Sequence, residues 1–96
     1  GEYHKAQQYQ VVSEWGSMLI EYLEKESNDK YISIREKIIY LLANAYIRLH
    51  QDDKCLIYLQ LCSNPDSVPI QYLYLLYYVD RKNISSVFGH STLTID

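Results

Sequence analysis

Residues 39–62, IYLLANAYIRLHQDDKCLIYLQLC, decide the fold of this chain. Bulky or small apolar residues recur there on both sides of a polar segment: Ile39, Leu42, Ala43, Ala45 and Tyr46, then Cys55, Leu56, Leu59 and Cys62. Spacings of three and four residues place side chains on one stripe of a helix. The segment from His50 to Asp53 contains no apolar residue, and Asp52 or Asp53 is well placed to cap the second helix. The stretch predicts two antiparallel helices whose apolar face the rest of the chain must cover.

A helix is also predicted ahead of this hairpin, from Glu2 to about Lys25. Its apolar residues follow the helical period: Tyr9, Val12, Trp15, Leu19 and Tyr22. Gly16 is unfavourable inside a helix, so we expect a close contact with another helix at that position. After a polar turn, Ser33 and Glu36 fit a capping box for the first hairpin helix, although Asp29 could cap it one turn earlier.

Behind the hairpin, the chain predicts a fourth helix from Val68 to Val79, with Ser67 and Pro69 at its start. A turn is predicted over residues 80–83 and a short helix over 84–88, stopped by Gly89. Residues 90–96 have no partner strand and are expected to form an extended tail.

The hairpin residues resemble the tetratricopeptide repeat family. The resemblance lies in Ile39-x2-Leu42-Ala43-x2-Tyr46, Cys55-x3-Leu59 and Cys62, with Cys at positions where the family usually has Ala. Partial versions occur on either side, as Gly16-x3-Ile20-x2-Leu23 and Ile70-x2-Leu73-Tyr74-x2-Tyr77. The resemblance implies an all-α fold of antiparallel helical hairpins, four or five helices stacked as a short right-handed solenoid. A compact helical bundle is the alternative. Residues 1–96 would form one domain, which we expect to be a fragment of a longer protein.

By the same resemblance, the inner faces of the first helix of each pair would line a groove that binds a peptide or helix of a partner protein. The partner-binding residues would be Lys37, Tyr40, Asn44, Ile47, Arg48, Gln71, Leu75 and Tyr78. Lys37 and Arg48 would attract acidic residues of the partner. The competing interpretation places Tyr40 and Leu75 in the core and makes Asn44 an exposed polar residue. A second hypothesis makes the chain a self-association or packing domain of a larger complex, acting through its Tyr-rich fourth helix, and leaves a homo-oligomer open.

Composition argues against several other classes of function. The formal net charge of −3 and the pI of about 5.5 do not fit a nucleic-acid-binding surface. No apolar run approaches the ~20 residues of a membrane span, and no signal peptide pattern is present. We therefore expect an intracellular protein, cytoplasmic or nuclear, with a protein or peptide partner, no nucleic acid and no membrane insertion.

The titratable residues do not form a recognisable catalytic or metal-binding motif. The three histidines, His4, His50 and His90, lie on different segments without metal-ligand spacing. Cys55 and Cys62 would lie ~10 Å apart on one helix, too far for a disulfide, and we interpret them as small packing residues. The sequence predicts a binding protein rather than an enzyme, with no catalytic residue, no metal and no cofactor.

Overall fold

The structure, a computed structural model, describes residues 2–26 and 28–88. Over these residues the chain forms four α-helices: α1 (Glu2–Glu26), α2 (Ile32–Arg48), α3 (Asp52–Gln60) and α4 (Val68–Phe88). A short 3-10 helix, Asp29–Tyr31, leads into α2, and no strand occurs in the described ranges. The all-α prediction is confirmed. None of the helices described is both long enough and apolar enough to cross a membrane.

Helix α2 is the centre of the fold, because α1, α3 and α4 all pack against it. The core is formed by side chains from all four helices: Ile20, Ile39, Leu42, Ala43, Tyr46, Ile47, Cys55, Leu59, Ile70, Leu73 and Tyr77. Every apolar residue named for the hairpin belongs to this core or packs against it, apart from Ala45, which is buried outside the cluster. The predicted hairpin and its apolar stripe are therefore confirmed.

Helix α1 packs on α2 through a narrow face of small residues and one isoleucine. Ser13, Gly16 and Ile20 are buried there, and Gly16 lies against α2, as expected for a glycine inside a helix. The bulkier stripe that contains Trp15 and Leu19 lies on the outside of the helix and is exposed. The sequence thus predicts the helix, whereas the close approach at Gly16 determines which face of the helix packs on α2.

The predicted turn over residues 80–83 is wrong, because α4 continues through it to Phe88. No Pro or Gly interrupts residues 80–88, so charged residues alone do not end the helix. The Arg81 side chain makes a contact of helical spacing, since its Nη1 donates to the Tyr77 hydroxyl one turn earlier, at 3.2 Å. Gly89 and the predicted tail, residues 90–96, lie outside the described residues.

The predicted helix caps also differ from the structure. Asp52 is the first residue of α3 and is buried, and neither it nor Asp53 occupies the N-cap, where Gln51 makes no side-chain hydrogen bond. Likewise α2 begins at Ile32 without a capping box, because the preceding 3-10 helix, capped by the Asn28 side chain, supplies its first turn.

The end of α2 explains how the chain reverses into α3. The Gln51 N–H donates to the Tyr46 carbonyl at 2.8 Å and the His50 N–H to the Ile47 carbonyl at 3.1 Å, which is a Schellman motif. The motif requires a left-handed residue after the helix, and His50 adopts it with φ 59°. A histidine here, where glycine is usual, indicates that its side chain has a separate contact.

Candidate partner-binding groove

An open groove runs between the first halves of α2 and α4, and we call it the α2–α4 groove. Its volume is about 760 Å³. The residues that line it come from α2, from the segment after α3 and from the start of α4: Ser33, Glu36, Lys37, Tyr40, Leu41, Cys62, Asn64, Ser67, Pro69 and Ile70. Of the eight predicted partner-binding residues, Lys37 and Tyr40 line this groove, which is large enough for a ligand of several side chains.

The walls of this groove are mainly apolar. Ile70 is buried and belongs to the core, Tyr40 is half-buried against it, and Leu41 stands at the rim with half of its surface exposed. Pro69 adds a rigid apolar edge from the first turn of α4. Lys37 is exposed above these residues and has no ion pair within the described part of the chain. The groove therefore combines an apolar floor with one exposed positive charge.

Glu36 fixes one wall of the groove to the end of α3. Its Oε1 accepts hydrogen bonds from the Ser63 N–H at 2.6 Å and, more weakly, from the Cys62 thiol at 3.9 Å. Its Oε2 is buried without a hydrogen-bond donor and lies 3.7 Å from Arg35 Nη1. Arg35 in turn pairs with Glu24 on α1 at 2.7 Å, so this charge network joins α1 and α2 to the segment that follows α3.

A smaller hollow of about 260 Å³ lies at the other end of the α2–α4 contact, and we call it the distal hollow. It is lined by Ile47, Arg48, His50, Leu76, Val79 and Asp80. His50 Nδ1 lies 3.0 Å from Asp80 Oδ1. This contact holds the α2–α3 turn against α4 and gives the left-handed histidine its separate role.

Asp52 extends this contact into a cluster of two carboxyl groups. Burial, followed by the neighbouring Asp80 carboxyl, raises the pKa of Asp52 to about 6, while the charges of His50 and Arg81 act in the opposite direction. Neither Asp52 oxygen accepts a hydrogen bond from a described donor. Because Asp80 is also an acceptor, the two groups can share a hydrogen bond only when one is protonated. Sequence reasoning missed this cluster, since its members lie about thirty positions apart.

The predicted partner-binding residues do not form one surface. Lys37 and Tyr40 line the α2–α4 groove, whereas Ile47, which is buried, and Arg48 line the distal hollow. Asn44 is half-buried on α2 between the two groups.

The three candidates on α4 contribute to neither cavity. Gln71 donates from its side chain to the Pro65 carbonyl at 2.7 Å, and Leu75 and Tyr78 are exposed on another side of the helix. Tyr40 is half-buried, so it packs against the core and also lines the groove, whereas Leu75 is exposed and does not belong to the core. Sequence spacing could have separated these sets, because residues 71, 75 and 78 lie on one face and the core residues 70, 73 and 77 on another.

The two thiols differ in their surroundings. Cys55 is completely buried, and burial followed by the Asp52 and Asp80 charges raises its pKa to about 12. Cys62 is half-buried and lines the α2–α4 groove. Both are free thiols. A chemical group attached to Cys62 would occupy the groove, which makes this thiol a useful probe of it.

Among the residues that the structure describes, no three His, Cys, Asp or Glu side chains converge as a metal site would require. Comparison of the chain with models of protein families, with curated proteins and with solved structures gives no match.

Proposed function

We propose that this chain is a protein-interaction module that binds a short segment of a partner protein in the α2–α4 groove. The observation that carries the proposal is the groove of about 760 Å³ with Tyr40, Leu41 and Ile70 in its walls. Binding sites of this size typically have apolar walls and a few polar groups that orient the ligand. An apolar side chain of the partner would enter between Leu41 and Ile70.

The charge at the rim of the groove indicates which residues of the partner would lie next to that apolar side chain. Lys37 has no ion pair in the described chain and would attract an acidic residue of the partner. Groove binding of this kind is also what the tetratricopeptide resemblance implies, with α2 and α4 as the first helices of successive pairs. The right-handed solenoid is part of this proposal and rests on the repeated residue pattern.

A second function, packing within a larger assembly through α4, is supported by a different observation. Five apolar or aromatic residues of α4 are exposed: Val68, Tyr72, Leu75, Tyr78 and Val79. Exposed apolar patches of this kind are common at protein contacts. This surface is separate from the groove, so variants can distinguish the two functions.

The groove proposal can be tested by selecting peptides from a random display library against the whole chain. Peptides that bind are then measured against Leu41→Lys and against Ile57→Lys, a control on α3 outside the groove. The two residues are matched in exposure, at 50% and 55%. We expect Leu41→Lys to weaken binding about tenfold or more, because it places a charge in the apolar site. Peptides that bind both variants as well as the original chain would contradict the proposal.

Alkylation of Cys62 provides an independent readout, because it fills the groove without changing the sequence. Bound peptide should protect Cys62 from a thiol reagent, and prior alkylation should prevent peptide binding. The α4 variant Leu75→Lys should leave both results unchanged. If Leu75→Lys abolishes binding while Leu41→Lys does not, the α4 surface is the functional one.

A further inference from the structure

The outer face of α1 carries a stripe of exposed apolar residues opposite the face that packs on α2. We call this set the α1 stripe; it consists of Val11, Trp15, Met18, Leu19 and Tyr22. All five side chains are about half exposed or more, and Trp15 reaches 63%. Glu14 and Glu21 flank the stripe on one side, and Lys5 and Glu26 lie near its two ends on the other, so it is a defined surface rather than a scatter of single residues.

The spacing of the α1 stripe is that of a helix that pairs with another helix. Val11, Trp15, Met18 and Tyr22 are separated by four, three and four residues, which is the heptad alternation of core positions in coiled coils. Leu19 lies beside them at a flanking position. The opposite face of α1 packs on α2, so none of the other described helices covers this stripe.

We propose that the α1 stripe is a homodimer interface, in which α1 packs antiparallel against α1 of a second copy. In an antiparallel pair, the two kinds of core position face each other across the contact. With the twofold axis at mid-helix, Trp15 lies beside Met18 of the second copy, and Val11 lies beside Tyr22 of the second copy. Each of these two pairs occurs twice because of the twofold symmetry. The central pair, Trp15 and Met18, places a sulfur against an aromatic ring, which is a favourable contact.

The flanking residues support this register on one side of the contact. Lys5 would lie beside Glu26 of the second copy, an attractive pair that forms twice, and Val12 would lie beside Leu19 of the second copy. Both Lys5 and Glu26 are exposed and have no ion pair in the described part of the chain. On the other side, Glu14 would lie beside Glu21 of the second copy. This repulsion weakens the dimer, so a change of charge at Glu14 or Glu21 should change the dissociation constant.

The area is also in the range that a dimer requires. Given ~150–250 Å² for a fully buried aromatic side chain, the five residues expose roughly 500 Å² per protomer. Two such faces would bury roughly 1,000 Å², which is the lower limit for a specific contact between proteins. A weak, reversible dimer is therefore expected rather than an obligate one.

The test is analytical ultracentrifugation of the whole 96-residue chain over a range of roughly 1–500 μM, with fluorescence of the single tryptophan in parallel. We expect a monomer–dimer equilibrium, with Trp15 emission shifting to shorter wavelength as the dimer forms. Met18→Lys should raise the dissociation constant about tenfold or more, because it buries a charge in the central layer. The control is Leu75→Lys on α4, matched in exposure at 60% against 61%, and it should have no effect.

Charge variants test the antiparallel register through gained or restored dimerisation, and not only through its loss. Glu21→Lys converts two repulsive pairs into attractive ones, and should lower the dissociation constant several-fold at low salt but not in 1 M salt. Lys5→Glu should weaken the dimer, and Glu26→Lys in the same chain should restore it. A parallel pair would not show this restoration, since Lys5 and Glu26 would then lie at opposite ends.

Three outcomes would overturn the proposal. The first is a monomer at every concentration, as expected if α1 instead packs against a preceding helix of a longer array. The second is a mass that keeps growing with concentration, which indicates a head-to-tail contact between the α1 stripe and α4. The third is a dimer that Leu75→Lys disrupts and Met18→Lys leaves intact. None of these results bears on peptide binding in the α2–α4 groove.

Discussion

Gly16 on α1 lies directly against Leu42 on α2. A methyl group added at Gly16 would come within 2.7 Å of Leu42 Cδ2 and 2.9 Å of Leu42 Cγ. Leu42 is completely buried at the centre of the core, so it cannot turn into solvent to make room. This contact sets the distance between α1 and α2, and it explains why a glycine occurs in the middle of a long helix.

Gly16→Ala should therefore destabilise the protein, although Gly to Ala inside a helix ordinarily stabilises by ~1 kcal/mol. Overpacking a buried site costs ~1–3 kcal/mol, so the net loss in the free energy of unfolding should reach up to about 2 kcal/mol. Urea denaturation followed by circular dichroism measures the difference. The same substitution in a Leu42→Ala background should be neutral or stabilising, because the clash is gone. An equal loss in both backgrounds would mean that Gly16 is needed for another reason.

The hairpin could be predicted from the sequence because its information is local. Ile39, Leu42, Cys55 and Leu59 are all almost completely buried, and their spacing alone places them on two facing stripes. The continuous α4 could not be predicted in the same way. A run of charged and polar residues after Val79 suggested a turn, yet nothing in it prevents a helix.

Side-chain orientation and polar clusters were harder to predict, for a different reason. Helix α1 is apolar on two faces, so periodicity identifies a helix but does not show whether Trp15 or Ile20 faces the core. The close contact between Gly16 and α2 determines which of the two faces packs on the core. The cluster of His50, Asp52 and Asp80 forms only when the α2–α3 turn meets α4, and no sequence spacing indicates that contact.

Asp52→Asn should stabilise the protein above about pH 6. The folded-state pKa of Asp52 is about 6, above the ordinary value of 3.8, so the folded protein holds the proton more tightly. Stability from this group is thus present at pH 4 and is lost as the pH rises through about 6. Asparagine avoids the buried charge, and the expected gain at pH 8 is about 1–2 kcal/mol, with little change at pH 4.

Thermal or urea unfolding at a series of pH values measures this effect. Asp53→Asn is the control, because the neighbouring Asp53 side chain is 95% exposed. Its effect on stability should stay within ~0.5 kcal/mol at each pH. If Asp52→Asn destabilises the protein at pH 8, the Asp52 carboxylate must have a favourable partner. The interpretation that its charge is unfavourable beside Asp80 would then be wrong.

The two thiols should react at different rates in the folded protein. Cys55 is buried with a pKa of about 12, whereas Cys62 is half-buried at the groove. Since the thiolate is the reactive form, a thiol reagent at pH 8 should label Cys62 first, and both should react quickly in denaturant. Mass spectrometry of peptides identifies the labelled site. Cys62→Ser should remove the faster phase, and native labelling of Cys55 before Cys62 would contradict the packing around Cys55.

Glu36 should stabilise the wall of the α2–α4 groove through its hydrogen bond to the Ser63 N–H. Hydrogen bonds to a charged group contribute ~1.5–3 kcal/mol, so Glu36→Ala should lower the free energy of unfolding by about that amount. Glu36→Gln keeps an acceptor oxygen but loses the charge that faces Arg35, and should cost less. Urea denaturation gives the overall effect.

Amide hydrogen exchange tests the local cause of this loss. In the original protein, the Ser63 amide is bonded to Glu36 Oε1 at 2.6 Å and should exchange slowly. Glu36→Ala should accelerate that exchange strongly, whereas Glu36→Gln should accelerate it much less. Lys37→Ala, the next residue on the same helix, is exposed and should change neither the exchange nor the stability beyond ~0.5 kcal/mol. If the Ser63 amide exchanges equally in all four proteins, then Glu36 does not hold the end of α3, and the groove wall depends on apolar packing alone.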